Sequence, residues 1–130
     1  MLRVLPTPGL ESCTRTVLVV EDDVLIRLMI AEELRQTGFR VVEASSGDEA
    51  LRCLASGYIV DLIFTDVQMP GKVDGTALAR LVARDYPQIR VFMTSAHGRL
   101  PHAGLAAQFI PKPYIEGEVV RLIADALATP

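Results

Sequence analysis

Aromatic residues make up only 5% of the 130-residue chain, Trp is absent, and there are 2 cysteines. Cys13 and Cys53 are too few and too irregularly spaced for a metal cluster or a disulfide framework, so both are expected as reduced thiols. No apolar run approaches the ~20 residues of a membrane-spanning helix, and Met1 to Pro8 lacks the apolar core of a signal peptide. A soluble, cytoplasmic protein without membrane association is the expectation. Positive charge is not in excess: the net charge of -3 gives no basic footprint for nucleic acid. His97 and His102 stand in a loop-like stretch and are assigned no ligand role. What the chain does have is 50% hydrophobic residues with 9 Gly and 8 Pro, the composition of one compact domain with many turns.

Along the chain, residues 1–14, with Pro6, Pro8, Gly9 and Ser12, show no periodicity and are expected as a loose N-terminal arm, leaving 15–130 as the domain. Thr16–Val20 is rich in β-branched residues and apolar throughout, as a central parallel strand covered on both faces would be. From Val24 the spacing of Ile26, Ile30 and Leu34 is helical, and Gly38 stops the helix. Phe39–Ala44 is a second strand, and Ser45 to Asp48 caps a helix on Leu51, Leu54 and Ala55 that Gly57 closes. Val60–Thr65 is the third strand and delivers Asp66 to a turn broken by Pro70, Gly71 and Gly75. Asp74 and Gly75 open a helix on Leu78, Leu81 and Val82 that ends before Pro87. Val91–Ser95 and Gln108–Ile110 are strands four and five, and Val120, Ile123, Ala124 and Leu127 mark a terminal amphipathic helix. Gly98, Pro101 and Gly104 limit residues 96–107 to at most a short helix. Strands alternating with helices predict a doubly wound parallel α/β sheet, because parallel neighbours require crossover connections. No second domain is visible, so a DNA-binding or enzymatic output module is expected to be absent.

In such a sheet, ligands and chemistry collect where the loops leave the carboxyl ends of the strands. Glu21 and Asp22 fall there after strand one, Asp66 after strand three, Ser95 after strand four and Lys112 after strand five. Three carboxylates brought together repel one another unless a cation sits among them or some protonate. Oxygen ligands suit a hard ion, and Mg²⁺ takes one or two carboxylates, keeps several waters and bridges to phosphate. A carboxylate, a hydroxyl, an ammonium and Mg²⁺ around one point make a toolkit for phosphoryl transfer. Glu21, Asp22 and Asp23 can equally be acids that stabilise a helix N-terminus, a reading compatible with metal binding.

Four motifs in order, Val-Val-Glu21-Asp22, Asp66-Val-Gln-Met-Pro, Thr-Ser95-Ala and Phe109-Ile-Pro-Lys112-Pro, resemble the receiver domain of two-component response regulators over about residues 15–130. The resemblance implies a flavodoxin-like, five-stranded parallel sheet in the order 2-1-3-4-5 with helices on both faces. It implies a stand-alone receiver in a phosphorelay, with Asp66 as phosphoacceptor for a histidine kinase or histidine phosphotransfer protein. Asp22 and Asp66 would bind Mg²⁺ directly, Glu21 would act in the acidic pocket through water, and the backbone carbonyl of Gln68 would complete the protein's share. Lys112 would contact the phosphoryl oxygens, Ser95 would move to donate to them, and Phe109 matches the switch aromatic that turns inward as Ser95 moves. The Lys112–Pro113 bond matches a position that is cis in the family, cis bonds being essentially a proline phenomenon. Gln68 and His97 fall where residues of the family influence attack by water. Phosphorylation from a donor and slow self-dephosphorylation are implied, without enzymatic turnover. The implied oligomeric state is a monomer or weak dimer, with a downstream protein partner of unknown identity.

Two departures from the family's pattern stand out. Four residues, Gly71 to Asp74, separate Pro70 from Gly75, one more than is commonest. Ser95 and Lys112 are only 17 positions apart, and the missing length falls where the family's fourth helix belongs, so that helix is expected short or irregular. The 44 positions between Asp22 and Asp66 are ordinary for a receiver. Two other functions compete. One is an interaction module with a receiver fold that works without phosphorylation, against which the complete acidic pocket, Ser95 and Lys112 argue. The other is a haloacid-dehalogenase-type phosphatase, which needs a second Asp two residues after its nucleophile, where this chain has Gln68.

Overall fold

The computed structural model of the chain describes residues 14–96 and 107–128. Residues 1–13 of the expected arm, Cys13 among them, and residues 97–106, with His97 and His102, lie outside the described residues. Five strands, β1 (Thr16–Val20), β2 (Arg40–Ala44), β3 (Leu62–Asp66), β4 (Arg90–Ser95) and β5 (Ala107–Pro111), form one parallel sheet in the order β2-β1-β3-β4-β5. Four helices are described: α1 (Val24–Thr37), α2 (Gly47–Ala55), α3 (Gly75–Asp85) and α4 (Glu116–Ala128). None of the described helices is long and apolar enough to cross a membrane.

Side chains alternate across the sheet, so each strand feeds two cores. Val17, Val19, Leu62, Phe64, Phe92 and Ile110 meet Ile30 and Leu34 of α1 and Val119, Ile123 and Leu127 of α4. On the other face, Leu18, Val20, Ile63, Val91 and Met93 meet Ala50 and Leu54 of α2 and Leu78, Ala79 and Val82 of α3. Burial on both faces explains why the central strands read as unbroken apolar runs.

The helix ends follow local chemistry. Asp23 caps α1 by accepting from the N–H groups of Leu25 and Ile26, and Gly38 ends the helix at φ 107°. Ser46 and Asp74 cap α2 and α3 through the N–H groups of Glu49 and Ala77. The third strand starts later than the apolar pattern predicts, at Leu62 rather than Val60. Asp61 precedes it, its carboxylate accepting the Thr16 N–H at 2.8 Å. It also runs one residue further, so that Asp66 is its last residue, in register with Thr94 of β4.

Candidate functional site

The parallel register brings the carboxyl ends of β1, β3, β4 and β5 level, with Val20 opposite Thr65, Asp66 opposite Thr94 and Ser95 opposite Pro111. Glu21, Asp22 and Asp66 are thereby gathered, each offering a carboxylate oxygen within 4.8 Å of the others. Of the three acids that follow β1, only Asp23 caps the helix; the other two face Asp66. Glu21 and Asp66 are buried, whereas Asp22 is exposed. This oxygen-only donor set suits a hard divalent cation.

Asp66 is held at both oxygens. Lys112 donates from Nζ to Oδ2 at 2.9 Å, and the Gln68 backbone N–H donates to Oδ1 at 3.2 Å. The backbone of Asp66 is equally constrained. Its carbonyl accepts from the Thr65 hydroxyl, and a Cβ on Gly75 would collide with that carbonyl, so only glycine lets α3 begin this close to the strand end. Lys112 is placed by its own N–H donating to the Ser95 carbonyl at 3.0 Å, and the Lys112–Pro113 peptide is cis. Its Nζ also lies 3.9 Å from Glu21 Oε1.

One ammonium among three carboxylates leaves negative charge in excess. Burial, with the negative neighbours Asp22 and Asp66, pushes the Glu21 carboxyl up to about 7, although the Asp23 N–H and Lys112 pull the other way. Partial burial works against the Lys112 ammonium, but its hydrogen bond to Asp66 and the fields of Asp66, Glu21 and Asp22 outweigh that and raise it above the ordinary lysine value.

Ser95 is buried at the end of β4. Phe109 is half-buried, in register with Met93, and packs on the core between the sheet and the α2–α3 layer. Ser95, two residues beyond Met93, belongs to the same face of the sheet. All seven residues expected to form the metal and phosphoryl site and its switch are thus among the described residues, whereas His97 is not. Glu21, Asp22, Asp66 and Lys112 converge directly, while Phe109 lies further along the sheet.

Two neighbours of this cluster were not expected. Tyr114 packs edge-on against Phe64 with ring centroids 6.0 Å apart, and its hydroxyl is buried without a hydrogen-bond partner among the described residues. Burial and the charges of Glu21, Asp66 and Glu116 push its phenol well above the ordinary tyrosine range. Arg27 donates from Nη1 to the Glu21 carbonyl at 3.0 Å. A lone arginine between Ile26 and Leu28, one turn after the acids, was the available signal for it.

Comparison with known proteins agrees with this geometry. The family model for the response regulator receiver domain matches residues 17–124. The DNA-binding transcriptional regulator NtrC of Salmonella typhimurium is 33% identical over 115 residues, covering 85% of this chain and 24% of the regulator, so the chain spans about a quarter of that relative's length. The crystal structure of the receiver domain of NtrX from Brucella abortus superposes with a TM-score of 0.76 at 32% identity, covering 88% of this chain and 99% of that one. A response regulator receiver domain protein from Clostridium thermocellum gives a TM-score of 0.77 at 28% identity, covering 88% and 94%.

Proposed function

This chain belongs to the response regulator receiver domain family of two-component signal transduction, and from that premise we propose that it accepts a phosphoryl group on Asp66 from a phosphohistidine donor in an Mg²⁺-dependent reaction. The observation that carries the proposal is the Asp66 carboxylate, held by Lys112 at 2.9 Å inside a cluster with Glu21 and Asp22.

In the proposed reaction an Asp66 oxygen attacks phosphorus, the new P–O bond forms as the P–N bond to the donor imidazole breaks, and the bonding pair leaves on the imidazole nitrogen. Asp22 and Asp66, with Glu21 and the backbone carbonyl of Gln68, would hold Mg²⁺, which when bound neutralises charge on the phosphoryl oxygens. Lys112 transfers its hydrogen bond from Asp66 Oδ2 to a phosphoryl oxygen, and Ser95 donates a second once the group is in place. Phe109, on the same face of the sheet as Ser95, moves with it, which carries the signal towards a downstream protein. The resulting acyl phosphate hydrolyses slowly, so the chain acts as a switch without multiple turnover.

A protein donor, a histidine kinase or phosphotransfer protein, is supported by what surrounds the pocket. Val24, Leu25, Leu28 and Met29 are exposed on α1, which begins two residues after Asp22, and Ile115 is exposed three residues after Lys112. Large apolar side chains grouped on a surface mark protein-interaction sites.

Intact-mass spectrometry after incubation with a small-molecule phosphodonor tests the proposal. One phosphoryl adduct is expected on the wild type with Mg²⁺, and none with chelator or in Asp66→Asn. No adduct, together with no binding of the phosphoryl mimic beryllofluoride, would establish an interaction module independent of phosphorylation instead.

A further inference from the structure

Among the described residues, Arg27 is the one side chain seen to tie the acidic turn to the edge of the sheet. The Glu21 backbone is held on both sides: its N–H donates to the Ala44 carbonyl of β2 at 3.0 Å, and its carbonyl accepts from Arg27 Nη1 at 3.0 Å. The same guanidinium donates from Nε to Glu43 Oε1 on β2 at 3.1 Å, and the Arg27 N–H donates to the Asp23 carbonyl at 2.9 Å. Glu43 also accepts from the more exposed Arg35, whose Nη2 donates to Oε2 at 3.0 Å. The Arg27 and Glu43 side chains are only 16% and 21% exposed, unlike the Arg84–Asp85 pair at 69% and 48%. Exposed pairs of the latter kind contribute little.

We infer that Arg27, locked to β2 by Glu43, is a positioning residue that fixes the Glu21–Asp22 dipeptide for binding of the divalent cation, an inference that rests on the Mg²⁺ reading above. Mutual repulsion in the metal-free pocket pushes Glu21 and Asp22 away from Asp66. A strut on the Glu21 carbonyl resists that motion and keeps the oxygens together before the cation arrives. Partners of this outer kind typically change metal affinity by about 10–100-fold when removed.

Electrostatics alone makes the opposite prediction. Removing the Arg27 charge leaves the pocket more negative, which would tighten cation binding through space. Arg35→Gln is the matched control, because it removes the same charge from the same Glu43 without touching Glu21.

The test is calorimetric titration of the metal-free protein with Mg²⁺, well below the unfolding temperature, alongside amide-proton exchange at residues 21–23. Arg27→Gln is expected to raise the Mg²⁺ Kd by about tenfold or more. Arg27→Lys, which keeps the charge but cannot span both acceptors, should fall between it and the wild type, and Arg35→Gln should bind as the wild type does or slightly tighter. Exchange at residues 21–23 should quicken in Arg27→Gln alone, and phosphorylation from a small donor should recover at saturating Mg²⁺. An unchanged or tighter Kd in folded Arg27→Gln overturns the inference, and if that variant does not fold, Arg27→Lys against wild type decides by the same criterion. Absence of Mg²⁺ binding by the wild type overturns the Mg²⁺ reading itself, and is visible without any variant.

Discussion

Asp61 and Asp66 stand at opposite ends of β3, the same residue type in contrasting electrostatic surroundings. Asp61 accepts the Thr16 N–H at 2.8 Å and pairs with Arg15 at 3.5 Å, one acid against one base at a partly exposed site. Asp66 shares a single lysine with Glu21 and Asp22. At the amino end charge is balanced and the carboxylate is a stitch between strands. At the carboxyl end it is unbalanced, three carboxylates facing one ammonium. Neither the residue nor its strand separates the two; the company each keeps does.

Exchanging both acids breaks the comparison most completely. Asp66→Asn should abolish the phosphoryl adduct in intact-mass spectra, whereas Asp61→Asn should form it within about twofold of the wild-type rate. Asp61→Asn should instead lower stability by about 1 kcal/mol in urea denaturation, as the Thr16 N–H loses a charged acceptor. The bases differ next. Lys112→Ala should slow phosphorylation by a small donor on the order of 100-fold, the cost of losing one aligned donor to developing charge. Arg15→Ala should leave that rate within about twofold and change stability by less than about 1 kcal/mol.

A further effect is one of pH, and its sign is the informative part. Glu21 ionises near 4.5 when unfolded and near 7 in the metal-free fold, so the unfolded state loses its proton first. The contribution of Glu21 is therefore fully present below about 4.5, and it declines as pH rises through about 7. The urea midpoint of the metal-free protein should fall across that window. Glu21→Gln should flatten the profile, and Mg²⁺ should raise the midpoint at its upper end. A profile identical in Glu21→Gln would show that other groups set the slope.

Much of this architecture is written in local pattern. Unbroken apolar runs announced strands buried on both faces, and Ser46 and Gly38 announced helix ends, because caps and glycine conformations depend on neighbours a few residues away. The acidic cluster was legible because parallel strands must present their carboxyl ends along one edge. Assigning each acid was not: whether Glu21, Asp22 or Asp23 caps α1 depends on the angle at which the helix leaves the strand. The link from Glu43 through Arg27 to Glu21 joins β2 to α1 and to the turn after β1, a juxtaposition no spacing rule encodes. Tyr114 gave no signal either, since its place follows from how the chain turns after Lys112 and packs on Phe64.

Gly75 has a consequence for how this molecule tolerates change. A Cβ there would run into the Asp66 carbonyl, so every other side chain at that position must displace the backbone of Asp66. A saturation library scored for signalling would rank Gly75 with Asp66, although Gly75 contributes no functional group. Position 75 is thus a hidden partner of Asp66 in any record of permitted substitutions, bound to it by excluded volume and not by reactivity.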